Sequence, residues 1–126
     1  VHEAKQAAEE AIQLIEDRFG PAYSVNAPRF FKNKKKVQDA HEAIRPTSVF
    51  NTPEKVRPFL SKEQLALYRL IWNRFVASQM KEALIDTNSI KIKAGKYIFS
   101  ASGSTIKFPG FMALYMSVDD EMANED

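Results

Sequence analysis

The chain has 126 residues, 44% of them hydrophobic, with 18 Lys plus Arg against 16 Asp plus Glu, two His and no Cys, for a formal net charge of +2. That apolar content excludes a disordered tail, and the lack of Cys excludes a disulfide scaffold, a thiolate metal site and a cysteine nucleophile. No apolar run approaches the roughly 20 residues that span a bilayer.

The first predicted element is an amphipathic helix over residues 1–19. Ala4, Ala8, Ala11, Ile12, Ile15 and Phe19 recur at steps of three and four, while Glu9, Glu10, Glu16 and Asp17 fall mostly off that face. Gly20-Pro21 stops it, because Gly accepts a left-handed cap and Pro cannot continue a helix. From Ala22 to Lys36 no periodicity is visible, and this stretch reads as a long surface connection. Asp39 can cap a short helical turn through Ala40-His41-Glu42-Ala43-Ile44, which Pro46 ends.

Thr52-Pro53-Glu54 carries a helix start: a capping hydroxyl, Pro at the first position and an acid in the first turn. Pro58 keeps that helix short. Ser61 and Gln64 then form a capping box for a long helix ending near Met80. Leu65, Tyr68, Trp72, Phe75, Val76 and Gln79 or Met80 trace its main face, and Leu67, Leu70 and Ile71 widen it. An arc this broad implies contact on more than one side, as in a helix joining two subdomains, with Trp72 in the core.

After Asp86 the period shifts toward two. Ile90, Ile92 and Ala94 alternate with Lys91 and Lys93, and Gly95-Lys96 turns the chain. Tyr97, Phe99 and Ala101 follow, Ser102-Gly103-Ser104 reads as a second turn, and Ile106 and Phe108 resume the alternation. Phe111–Met116 reads as a fourth extended run. The predicted fold class is therefore α+β: a helical part over residues 1–80, then a small antiparallel β part over residues 81–126, the two joined by the long helix.

The modest net charge hides a segregation. Residues 1–18 carry five acids and two bases, residues 29–107 carry sixteen bases and six acids, and residues 119–126 carry five acids and no base. A middle segment at +10 suits a polyanion. Its densest part holds five bases in eight residues, Arg29, Lys32, Lys34, Lys35 and Lys36, beside Phe30 and Phe31. Five contacts to a single strand would give a salt slope of about −3.5. A solvated loop whose charge only aids solubility is the equal alternative.

His41-Glu42-Ala43-Ile44-Arg45 is the one tight group of polar functional side chains. A zinc helix needs a second His four residues after the first, where Arg45 stands, so no metal site is expected. The spacing of His41 and Arg45 puts two donors on one side of a helical turn, where a phosphate is the natural guest. Alternatively His41 caps a carbonyl and Arg45 pairs with Glu42 or Asp39. No Ser/Thr cluster stands beside any of the four tyrosines, and no phosphate loop or nucleophile elbow is present.

Three stretches together resemble the type IA DNA topoisomerase family, most closely its bacterial topoisomerase I branch. They are Asp39-Ala40-His41-Glu42-Ala43-Ile44-Arg45-Pro46-Thr47, the helix from Leu67 through Ile71-Trp72 and Phe75-Val76-Ala77 to Met80, and the β part from Ser89 through Gly95 and Lys107 to Phe111. The resemblance implies that the parent enzyme relaxes supercoiled DNA by transient single-strand cleavage, passage and resealing. It places this chain in the central region: most of a winged-helix-like domain that carries the nucleophilic Tyr, then part of the β-rich arch. The family's tyrosine string and its acidic Toprim domain are absent from the sequence, so this piece alone is expected to be inactive.

By the same resemblance His41 is a supporting active-site residue beside the scissile phosphate, and Arg45 binds or positions phosphate. DNA contact by Arg29, Lys32, Lys34, Lys35 and Lys36 rests on charge alone. The implied partners are DNA, chiefly single-stranded, and the remaining domains of the parent chain, with no membrane. No cofactor is expected in this piece, magnesium is expected in the parent, and the expected location is the cytoplasm. A stand-alone winged-helix nucleic-acid-binding module and a purely structural piece are the competing readings.

Overall fold

The fold is seen in a computed structural model that describes residues 2–31 and 43–116. Helix α1 spans His2–Phe19, and a single 3-10 turn, Pro21–Tyr23, follows Gly20 at φ 99°. Helix α2, Pro53–Val56, runs into a 3-10 turn at Arg57–Phe59, and helix α3 spans Lys62–Ser78. Strands β1 (Leu84–Ala94) and β2 (Tyr97–Phe108) form one antiparallel hairpin, and residues 112–116 are helical again.

Local chemistry sets these boundaries. Thr52 Oγ1 accepts from the Lys55 amide, with Pro53 at the first helical position. At α3 the capping box is complete: Ser61 Oγ accepts from Gln64 N at 3.2 Å, and Gln64 Oε1 accepts from Ser61 N at 3.0 Å. Pro58 ends α2 after one turn, because its ring cannot follow an α-helical carbonyl.

The core lies where α1 and α3 pack together. Ala11, Leu14, Ile15, Val49, Trp72, Val76, Met80 and Leu114 are buried there, with Phe19, Tyr23, Tyr68 and Phe75 against them. Trp72 is a core residue, as its spacing implied, and its Nε1–H donates to Val49 O at 2.8 Å. Small alanines on α1 let the two helices approach closely, since a larger side chain at Ala11 would hold the axes apart.

At one end of this core, Arg18 lies over the rings of Phe19 and Trp72 and reaches Glu54 at 3.7 Å. Burial alone would raise the Glu54 pKa, but hydrogen bonds from its own amide and the Thr52 hydroxyl, with the charges of Arg18 and Arg69, outweigh it and hold the carboxyl below its ordinary value of 4.5. A lowered folded pKa contributes stability above the unfolded value and loses it as pH falls through the folded one. Urea midpoints measured from pH 7 down through the acid range should therefore fall less for Glu54→Gln than for the unaltered chain. Parallel curves would remove Glu54 from the acid response.

The β part differs from expectation in two ways. Ser102-Gly103-Ser104 is not a turn: β2 runs through it, with Ser102 opposite Ser89, Gly103 opposite Asn88 and Ser104 opposite Thr87. Pairing along the whole of β1 outweighs the turn preference of those small residues. The expected meander is thus a single long hairpin closed at Gly95-Lys96, with Gly95 at φ 62°, as a two-residue turn with a positive first φ requires. Phe111–Met116 is not extended either. Gly110 at φ 53° redirects the chain, and residues 112–116 turn helical, burying Leu114 in the core.

The hairpin stands almost wholly in solvent, apart from its base. There Lys81 N donates to Tyr23 O at 2.8 Å, Phe111 N donates to Lys81 O at 2.9 Å, and Tyr23 packs against Phe108 with centroids 4.8 Å apart and the rings tilted by 40°. Met80 also bridges Ser24. The crossing at residues 80–81 thus ties the hairpin to the chain that follows α1.

Candidate functional site

An open groove of about 780 Å³ lies between the N-terminal half of α1 and the C-terminal half of α3. Ala4 and Ala8 form one wall, where their small side chains leave the space. Leu70, Ile71, Phe75 and Ser78 form the other. The two ends of the connection that follows α1 and precedes α2 close the rim, Arg29-Phe30-Phe31 on one side and Ala43-Ile44-Arg45 on the other. The breadth of α3's apolar arc is explained here: Trp72 and Val76 face the core, while Leu70 remains 55% exposed and Ile71 and Phe75 are part-covered at the groove.

Three arginines, Arg29, Arg45 and Arg74, line the groove, and no acid does among the described residues. Arg45 Nη1 donates to Pro46 O at 3.2 Å, which orients its guanidinium at the rim. Phe30 and Phe31 are 61% and 69% exposed, rings held in water beside guanidinium groups. An apolar floor under a cationic rim accepts a polyanion that also carries flat apolar groups. Phosphates can meet the arginines while bases stack on the rings.

One contact fixes the rim. Gln79, 3% exposed, accepts from Arg29 N through Oε1 at 2.8 Å and donates from Nε2 to Arg29 O at 2.9 Å. Its own carbonyl accepts from Val25 N at 3.3 Å.

Of the residues singled out in the sequence, Arg29 and Arg45 meet at this groove. His41, Lys32, Lys34, Lys35 and Lys36 lie outside the described residues, as do Asp39 and Glu42. The described part of the predicted capped turn, Ala43 to Arg45, is not helical. Pro46 biases the residue before it toward extended backbone. Arg74, Phe75 and Gln79 are groove residues that sequence reasoning missed. A cation interrupting an apolar arc was the available signal for Arg74, whereas helical spacing put Gln79 or Met80 on the main face of the long helix without marking a groove role.

Among the described residues no group of three or more His, Asp or Glu is placed to hold a metal ion. Tyr68 gives its hydroxyl hydrogen to Asn51 O, and burial pushes its pKa up, which disfavours the phenolate a nucleophile needs. No helix among the described residues is long and apolar enough to cross a membrane.

The sequence profile of the DNA topoisomerase family matches residues 1–126, and this chain belongs to that family. Among solved structures it resembles full-length topoisomerase I from Thermotoga maritima at 38% identity and a TM-score of 0.73. The match covers 87% of this chain and 17% of the Thermotoga chain, so the chain spans about a sixth of that relative's length.

Proposed function

We propose that this chain is the part of a type IA DNA topoisomerase that holds single-stranded DNA beside the cleavage point of an enzyme that relaxes supercoils. The observation that carries this reading is the groove between α1 and α3, with Arg29, Arg45 and Arg74 above an apolar floor. In this reading the helical part, residues 1–80, belongs to a winged-helix-like domain, and residues 81–126 begin the arch. The nucleophilic Tyr and the magnesium-holding acids belong to other parts of the parent chain. His41 is assigned to the scissile phosphate by the family resemblance, and Lys32, Lys34, Lys35 and Lys36 to DNA contact by their charge alone; all five lie outside the described residues.

Exposed Phe30 and Phe31 favour a single strand over a duplex, because only unpaired bases offer open faces to stack on. Base stacking on an aromatic side chain is worth about 1–3 kcal/mol per base. The test is fluorescence anisotropy of the 126-residue chain with a labelled oligothymidylate and with a duplex of equal length, across a salt series. The single strand should bind more tightly. Replacing Arg29, Arg45 and Arg74 together by Ala should flatten the salt slope by about 2, at about 0.7 per phosphate contact. An unchanged slope, or a preference for duplex, would overturn the reading.

A further inference from the structure

The two hydrogen bonds from Gln79 to Arg29 span 50 residues of sequence and join the C-terminal cap of α3 to the backbone at the rim of the groove. A glutamine amide offers a donor and an acceptor side by side, the same pair that a neighbouring strand's peptide would offer. Arg29 is therefore held extended by a side chain that acts as a one-residue strand. Among the described residues no other hydrogen bond holds the Arg29 backbone, and the Gln79 amide is itself held by Nε2 donation to Ser78 Oγ at 3.3 Å. Burial makes the arrangement specific. Removing the amide would leave Arg29 N–H and C=O to find water or a new partner, and the segment bearing Arg29 and Phe30 would lose its one fixed point.

We infer that Gln79 is a positioning residue for nucleic-acid binding: it acts through the Arg29 backbone to hold the Arg29 guanidinium over the groove. The inference rests on the single-strand reading above, and the two can fail separately. Gln79→Met keeps the length and volume of the side chain and removes both hydrogen bonds. Gln79→Glu keeps the acceptor for Arg29 N–H but sets an oxygen against Arg29 O.

The experiment is a double-mutant cycle in oligothymidylate binding, using Arg29→Ala, Gln79→Met and the pair, with Gln79→Glu as the second probe of the same contact. Gln79→Met and Gln79→Glu should each flatten the salt slope by about 0.7, as Arg29→Ala does, because each loses one phosphate contact. The double variant should bind no more weakly than Arg29→Ala alone. A residue that merely supports the fold would lower affinity by the same factor in both backgrounds and leave the slope untouched, and that outcome overturns the inference while the single-strand reading stands. An unaltered chain that binds no single strand, or an Arg29→Ala chain that binds as well as the unaltered one, overturns the inference together with the part of the reading it rests on.

Discussion

Replacing Trp72 by Ala should leave most of the chain unfolded in water without denaturant. Trp72 is 1% exposed and heads the fully buried side chains by volume. Truncating such a residue costs about 3–5 kcal/mol. Its Nε1–H is also the partner of Val49 O, and stranding a buried carbonyl adds about 1–3 kcal/mol. Domains of ordinary stability hold about 5–15 kcal/mol in total. Among the described residues eight side chains form the buried core, and a core of that size is expected to hold a stability toward the lower part of that range. Trp72→Phe separates the two contributions: it keeps a ring in the space but loses the hydrogen bond, and should cost about 1–3 kcal/mol. Circular dichroism in urea is the measurement, since Trp72 is the one tryptophan and its fluorescence disappears with it. A Trp72→Ala midpoint equal to that of the unaltered chain would mean that the α1–α3 layer is not the stabilising core. The consequence reaches the groove as well, because Val49 lies four residues beyond Arg45 on the segment that Trp72 anchors.

What could be read from the sequence follows the distance over which each feature is decided. Caps and stops are decided within a few residues, and Gly20-Pro21, Thr52-Pro53 and the Ser61–Gln64 box all fall where local chemistry puts them. The α3 face that buries Trp72 and Val76 follows from a period of 3.6, which a helix enforces over its whole length. The hairpin shows the limit. Ser102-Gly103-Ser104 has turn composition, but its conformation is decided by Thr87–Ser89 on the facing strand, some fifteen residues away. Residues 111–116 form a short apolar run, which periodicity alone cannot assign to strand or helix. The groove lies furthest from local sequence. Arg29 was visible as part of a basic run, yet its place beside Arg74 depends on the Gln79 amide half a chain away. Leu70, on the wider part of the α3 arc, lines the groove and stays half exposed.

The hairpin base depends on Gly110 in a way that the tip does not depend on Gly95, and the pair makes an internal comparison. Both have positive φ, 53° and 62°. A Cβ at Gly95 would meet nothing within 4 Å, whereas one at Gly110 would lie 2.5 Å from Glu82 C and O and from Lys81 O. Those are backbone atoms and cannot swing aside as a side-chain tip could. Gly95→Ala should therefore cost only the left-handed penalty, about 1–2 kcal/mol, and Gly95→Asn less, because Asn tolerates that region. Gly110→Ala adds a forced shift of the 81–82 backbone, which also carries the Phe111 N to Lys81 O bond, for a total of about 2–5 kcal/mol. Asn offers no relief at position 110, since its Cβ meets the same atoms. Hydrogen exchange read by mass spectrometry should show the damage concentrated in β1, β2 and the crossing at residues 80–81, with the α1–α3 layer less affected. If Gly110→Asn proves as mild as Gly95→Asn, conformation alone explains the glycine, and the close approach of the two backbones at the hairpin base is not what holds it.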